Sequence, residues 1–269
     1  MTATFTRRRY RLDVGASGAG TGSIVATSGA VVNCGIDCND TAVPHGTNVI
    51  LEARPDDAAT TFGGWSGVTG CDTDPTCTFA MTSAINATAR FDVTQVALTV
   101  NVTGSGTVTS SPAGISCSSG PCVTTFDYLT SVTLSAAPSF GQRFDRWSGG
   151  GCTPATTNPC VVTMSTARTT TAIFVPLTYT LVTTVTGSGG GTGAVTITPA
   201  TMSPCASGST CNNTYNHGTP VMLTASPTAP STFTGWSGDC SGTGSCMVDT
   251  LRARAVGANF NLGSAGVNV

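Results

Sequence analysis

Apolar and polar residues alternate in short runs along nearly the whole chain. Leu98-Thr99-Val100-Asn101-Val102-Thr103 puts every second side chain on an apolar face, and Thr178 to Thr186 reads similarly. Val49-Ile50-Leu51-Glu52-Ala53, Val132-Thr133-Leu134-Ser135-Ala136 and Val221-Met222-Leu223-Thr224-Ala225 form a second set. A period of two residues belongs to strands with one face on a core. Each strand of the second set is followed by a proline, at Pro55, Pro138 and Pro227, which has no N–H for a ladder and ends the strand. Glycine-rich turns accompany the first set: Gly15 to Gly22, Gly104-Ser105-Gly106, and Gly187-Ser188-Gly189-Gly190-Gly191-Thr192-Gly193. They are predicted to be hairpin turns. The last has the glycine spacing of a dinucleotide loop, but that loop opens a helix, and here Ala194-Val195-Thr196-Ile197-Thr198 continues as a strand. No stretch has a helical period, although the residues after Met81 or Met164 could hold one turn. The pattern predicts an all-β protein.

The pattern also repeats. Trp-Ser-Gly occurs at Trp65, Trp147 and Trp236, the only tryptophans in the chain, and a Phe (Phe91, Phe174, Phe260) follows the last cysteine of each copy by 14 residues. The predicted organisation is an N-terminal arm (1–9), three small β-sheet domains (10–92, 96–175 and 177–260) and a C-terminal tail (261–269). The linkers are short enough to fix neighbouring domains in orientation rather than let them swing. Residues present in every copy are read first as builders of the fold.

Domains of this size bury little core and commonly need covalent support. Each copy has four cysteines: Cys34, Cys38, Cys71 and Cys77; Cys117, Cys122, Cys152 and Cys160; Cys205, Cys211, Cys240 and Cys246. Four thiolates could hold zinc, but the spacing within each pair varies between copies, whereas zinc knuckles keep a tight spacing. Two local disulfides per copy are the favoured reading, the second closing a hairpin whose return strand begins at Cys77, Cys160 or Cys246. Six bridges imply an oxidising, extracellular compartment.

Only 9% of residues are charged, the formal net charge is -2, and there is no lysine. This argues against a nucleic-acid partner. The basic run Arg7, Arg8, Arg9 and Arg11 reads as a solvated edge at the first strand. No apolar run approaches membrane-spanning length, so no membrane insertion is expected. Met1 to Arg11 lacks the apolar core of a signal peptide, and no LPxTG motif occurs near the C-terminus; export and anchoring are not legible.

Candidate chemistry is sparse. His45 and His217 each precede Gly-Thr and read as turn formers rather than members of a hydrolytic triad. Glu52 is the only glutamate, which leaves no glutamate pair for glycoside hydrolysis. Asp72 and Asp74 with nearby carbonyls give a weak calcium signal. No metal site or cofactor is predicted. Trp65, Trp147 and Trp236, preceded by Phe62, Phe144 and Phe233, are core anchors on one reading and sugar-stacking platforms on the other.

Taken in order, the Thr/Val-rich strand with its G-S-G turn, the A-x-P loop, F-x-x-W-S-G, C-x-V-x-M (clearest at Cys160 to Met164) and the closing A-x-F resemble the divergent internalin-type B-repeat of bacterial surface and secreted proteins. The resemblance covers nearly the whole chain. It implies compact β-rich modules, related by analogy to the β-grasp, strung in tandem as stalks, spacers or adhesive segments without catalysis. The middle copy departs from the pattern, with Asp127-Tyr128-Leu129-Thr130 where the others have Pro44-His45-Gly46-Thr47 and Asn216-His217-Gly218-Thr219, and with Arg146 where the others have glycine before Trp. The function expected is that of a non-catalytic extracellular structural protein, a rod acting as stalk or subunit of a bacterial surface fibre. Its partners would be other copies of itself or surface glycans. The alternatives are an adhesin or carbohydrate-binding module with exposed tryptophans, and a phage virion surface or tail component.

Overall fold

The computed structural model describes residues 1–30, 33–34, 37–199 and 204–263, with backbone only at 33, 34, 37 and 38. The first unit contains β1 (Arg9–Ser17), β2 (Gly22–Ser28), β3 (Asn33–Cys34), β4 (Asp37–Pro44), β5 (Asn48–Pro55), β6 (Thr60–Ser66), β7 (Thr76–Ala80) and β8 (Ile85–Val93). The second contains β9 (Gln95–Thr103), β10 (Gly106–Ser111), β11 (Ser116–Cys117), β12 (Pro121–Asp127), β13 (Ser131–Pro138), β14 (Gln142–Gly149), β15 (Cys160–Thr163) and β16 (Arg168–Pro176). The third contains β17 (Thr178–Ser188), β18 (Gly193–Thr198), β19 (Cys205–Ala206), β20 (Thr210–Asn216), β21 (Pro220–Pro227), β22 (Ser231–Gly238), β23 (Cys246–Asp249) and β24 (Arg254–Leu262).

Every unit has the same topology. Two four-stranded sheets, ordered β4-β1-β8-β6 and β3-β2-β5-β7 in the first unit, enclose one core. The first and last strands of the unit pair in parallel at the centre of the larger sheet, as β1 with β8, β9 with β16 and β17 with β24, and the remaining pairs are antiparallel. In the second unit Leu98, Val100, Ala172 and Phe174 face Val108, Val132, Leu134 and Val162 of the other sheet. Among the described residues there is no helix, and the stretches after Met81 and Met164 are bends. Where a β-grasp carries a helix against its mixed sheet, these units carry a second sheet.

The glycine turns differ from the expected hairpins. β1 and β2 lie in different sheets, as do β9 and β10, and β17 and β18, so each turn is a corner that carries the chain from one sheet to the other. The closing Phe explains the glycine. A Cβ at Gly22 would lie 2.6 Å from Phe91 Cδ1, one at Gly106 2.5 Å from Phe174 Cζ, and one at Gly193 2.6 Å from Phe260 Cδ1. The Phe ring fills the space at the corner, and only a residue without a side chain lets the backbone pass over it.

The disulfides bridge the same division. Cys117 on β11 joins Cys122 on β12 with Cα atoms 5.8 Å apart, and Cys205 on β19 joins Cys211 on β20 at 6.0 Å, each linking edge strands of opposite sheets. Cys71–Cys77, Cys152–Cys160 and Cys240–Cys246 close the long connection that follows the Trp-Ser-Gly strand. That connection is also a crossing rather than the expected hairpin, because β6 pairs with β8 while β7 pairs with β5. The expected pairing of Cys34 with Cys38 lies outside the described side chains.

Candidate functional site

The recurring tryptophans are the first candidates. Their side chains are buried, with Trp65, Trp147 and Trp236 only 7%, 1% and 6% exposed. Each indole packs beside a phenylalanine, with ring centroids 5.8 Å apart for Phe62–Trp65, 5.3 Å for Phe144–Trp147 and 4.9 Å for Phe233–Trp236. The same phenylalanines touch Phe91, Phe174 and Phe260.

Each Trp also holds the disulfide-closed crossing in place. The Trp65 backbone N–H donates to Asp72 O (3.0 Å) and its indole N–H to Asp74 O (3.1 Å). Trp147 donates likewise to Ala155 O (2.6 Å) and Thr157 O (3.1 Å), and Trp236 to Gly242 O (2.8 Å) and Gly244 O (2.5 Å). A buried indole N–H needs an acceptor, and the crossing supplies it. The Gly of Trp-Ser-Gly adopts a left-handed conformation in every unit (φ +78° at Gly67, +77° at Gly149, +79° at Gly238), so the strand can leave the sheet at the end of the motif. With both faces enclosed, these indoles offer no platform to a sugar ring.

The weak calcium signal falls on the same loop. Asp72 and Asp74 give their carbonyls to Trp65, and the Asp74 carboxylate accepts from Thr76 N–H at 2.8 Å. Among the described residues no group of three or more His, Cys, Asp or Glu side chains is placed to hold a metal ion.

Of the two histidines, His217 lies where the second and third units meet. A single residue, Thr94 or Leu177, separates the last strand of one unit from the first strand of the next. Thr94 N–H donates to Ala59 O of the first unit (2.8 Å), and its carbonyl accepts from Tyr128 N–H of the second (2.8 Å). Leu177 makes the same pair, to Gly141 O (2.9 Å) and from His217 N–H (2.7 Å). Each linker residue is therefore bonded to the unit on either side. At the second joint Phe140 stands edge-on to the His217 ring with centroids 4.8 Å apart, and Tyr179 approaches it at 5.8 Å. Both His217 ring nitrogens are buried and lack a hydrogen-bond partner, which places this imidazole in a packing role rather than a catalytic one. His45 sits at the equivalent turn of the first unit, exposed, with its ring 5.7 Å from Tyr10.

The departures in the middle copy are accommodated differently. Leu129 takes the left-handed position (φ +64°) held by Gly46 and Gly218 in the other copies. Arg146 replaces a left-handed glycine (Gly64 and Gly235) without adopting a positive φ itself, and pairs with Asp145 at 2.5 Å. In the third unit Asp239 accepts from Ala255 N–H (2.8 Å) and lies beside Arg254 and Arg252, which together hold its carboxyl below the usual aspartate range. In the basic run, Arg9 donates to Ala42 O (2.7 Å) and Arg11 pairs with Asp13 (2.7 Å), while Arg7 and Arg8 line an open depression with Tyr10, His45 and Gly46.

The chain is similar in structure to the Bacillus anthracis TIE protein, with a TM-score of 0.57 at 6% identity; the alignment covers 94% of this chain and 50% of that one. The likeness is one of fold, and this chain spans half the length of its counterpart. Weaker likenesses are found to the pilus adhesin SpaC of Lactobacillus rhamnosus GG (TM-score 0.33, 6% identity, 95% of this chain and 43% of that one) and to the major pilin T-13 of Streptococcus pyogenes (TM-score 0.28, 8% identity, 64% and 98%). No curated protein matches the sequence. The model of the divergent InlB B-repeat domain matches residues 19–95, 96–177 and 181–264, one stretch for each double-sheet unit, and the chain belongs to that family.

Proposed function

We propose that this chain is a non-catalytic extracellular structural protein, a stiff rod of three units that serves as a stalk or as a subunit of a bacterial surface fibre. The observation that carries this reading is the joint. A linker of one residue, hydrogen-bonded to the unit before it and the unit after it, removes the freedom a flexible linker would have and suits a spacer that must hold its shape. The disulfides suit an oxidising exterior, and the sparse charge suits a surface that packs closely against neighbours. Burial of all three tryptophans weighs against the glycan-binding alternative.

Small-angle X-ray scattering of the oxidised chain tests the reading, with a variant carrying a Gly-Ser insertion after Thr94 as the flexible reference. A single elongated conformation for the natural chain and a broadened distance distribution for the insertion variant are expected. Equal flexibility in the two would overturn the rod.

A further inference from the structure

The last strand of each unit carries a residue at the same register position, Ile85 opposite Leu12, Arg168 opposite Leu98 and Arg254 opposite Leu181. In the second and third units this residue is an arginine, and its side chain lies between the end of the edge strand and the start of the disulfide-closed crossing. Arg168 donates to Ser165 Oγ (3.5 Å), and a Cβ on Gly151 would lie 3.6 Å from its Nη1. Arg254 donates to Asp249 O (2.8 Å) and pairs with the Asp239 carboxylate (3.1 Å). Ile85 is shorter and uncharged. Between the same two walls the first unit holds a groove of about 550 Å³, a volume suited to a small ligand.

A second exchange gives the groove an aromatic side chain. Phe79 is half-buried where the other units have the buried Val162 and Val248. With Val68 and Ile85 it packs against the core and supplies the apolar part of the lining. The remainder is polar: Thr69, Thr78, Ser83 and Asn86 are exposed, and their side chains have no hydrogen-bond partner among the described residues. No acidic, basic or histidine side chain lines the groove. Its opening does not depend on what precedes the first unit. In the second and third units, each of which follows another, the corresponding bend is exposed at Thr166 and Ala167 and at Leu251 and Arg252.

We infer that this groove binds a neutral saccharide, with one pyranose ring seated against Phe79. A pyranose has apolar C–H groups to set against Phe79, Val68 and Ile85, and hydroxyls that both donate to and accept from Thr, Ser and Asn side chains. A charged ligand would give up water with no counter-charge to replace it. Because the polar groups are exposed and solvated in the free chain, the expected affinity is weak, roughly millimolar. The site goes beyond the rod reading and makes no use of the tryptophans, so either can fail without the other.

Protein-observed NMR of the oxidised full chain tests it, with titrations of the methyl glycosides of glucose, galactose and N-acetylglucosamine and, as a charged counterpart, N-acetylneuraminic acid. Saturable shifts are expected from at least one neutral glycoside, confined to the amides of Val68, Thr69, Thr78, Phe79 and Ser83, while the corresponding amides of the second and third units stay still. Two variants restore what the other units carry: Ile85→Arg should abolish the shifts by occupying the groove, and Phe79→Val should weaken them by removing the ring. A dispersed first-unit spectrum confirms that each variant is folded, and either variant alone suffices for the comparison. Absence of saturable shifts with all three neutral glycosides overturns the inference. So do shifts that persist unchanged in the folded variants, or tighter binding of N-acetylneuraminic acid than of the neutral sugars.

Discussion

Gly106→Ala isolates the reason for the glycine at each corner. Gly106 is buried and has no positive φ, so the backbone accepts alanine without strain and the whole effect comes from the added methyl. That methyl would lie 2.5 Å from Phe174 Cζ and 2.6 Å from both Cε atoms. Three ring atoms at that distance leave no direction for a small slip, and the ring must withdraw by roughly 1 Å into a close-packed core. Phe174 is 3% exposed and backed by Phe144 at 5.9 Å, so the core must open to receive it. Overpacking of this kind costs about 1–3 kcal/mol, while alanine recovers about 0.4–1 kcal/mol by restricting the unfolded chain. A net loss of about 1.3 kcal/mol is expected, close to a tenfold rise in the exchange of amides that open with the whole unit. Native-state hydrogen exchange read separately on β9–β16 and β17–β24 confines the effect to the second unit. Gly244→Ala, with no atom within 4 Å of its Cβ, is the control and should be neutral or slightly stabilising. In a Phe174→Leu background the Gly106→Ala cost should fall by more than 1 kcal/mol, as expected for residues sharing one space. Additive costs in that cycle, or unchanged protection in Gly106→Ala alone, would refute the packing argument.

Leu129→Gly should stabilise the second unit by about 1 kcal/mol, since a left-handed leucine is strained and this one is largely exposed; a lower denaturation midpoint would contradict that. Replacing Cys117 and Cys122 together by serine should cost about 2 kcal/mol on the chain-entropy account of a bridge with a sequence separation of 5, measured by the denaturant midpoint of the second unit. For Asp239, a folded pKa held low by the Ala255 N–H, Arg254 and Arg252 means stability fully present above the unfolded aspartate value and lost as pH falls through the folded one. Acid titration below about pH 4 should therefore expose the third unit to pepsin in the natural chain, and Asp239→Asn should flatten that dependence. Cleavage that begins in another unit, or the same pH profile in Asp239→Asn, would count against it.

What the sequence disclosed and what it concealed follow from the range of each interaction. Alternation at Leu98 to Thr103 and the stop at Pro138 are set by neighbouring residues, and both strands lie where the pattern put them. Sheet membership is not local. A strand has the same two-residue period whether its turn folds back on its own sheet or crosses to the other, so Gly104-Ser105-Gly106 read as a hairpin when it is a corner. The available signal was the pairing of that glycine with a Phe at the close of every unit: a residue that must lack a side chain is facing something large. The same blindness produced a hairpin from the Cys152–Cys160 crossing, where the true partners of β14 and β15 are β16 and β13.

The joints were hidden for a further reason. Repetition exposes residues that every copy needs, such as Trp147 and Phe174, whose partners lie within the unit. His217 takes Phe140 from the preceding unit besides its own Tyr179, and the corresponding positions, His45 and Tyr128, meet different neighbours. A residue whose environment changes from copy to copy has no reason to be the same in each, and so looks like drift. Yet the backbone bonds at Thr94 and Leu177 match, which separates two roles: main-chain groups set how units join, and the side chains around them decide what each unit will accept as its neighbour. On that division Asp127-Tyr128-Leu129-Thr130 is a turn bonded to the linker residue Thr94, and the His217 turn is one fitted in addition to Phe140. Exchanging the two turns should leave each unit folded while weakening both joints, and wild-type stiffness in the exchanged chain would place the rigidity in the backbone bonds alone.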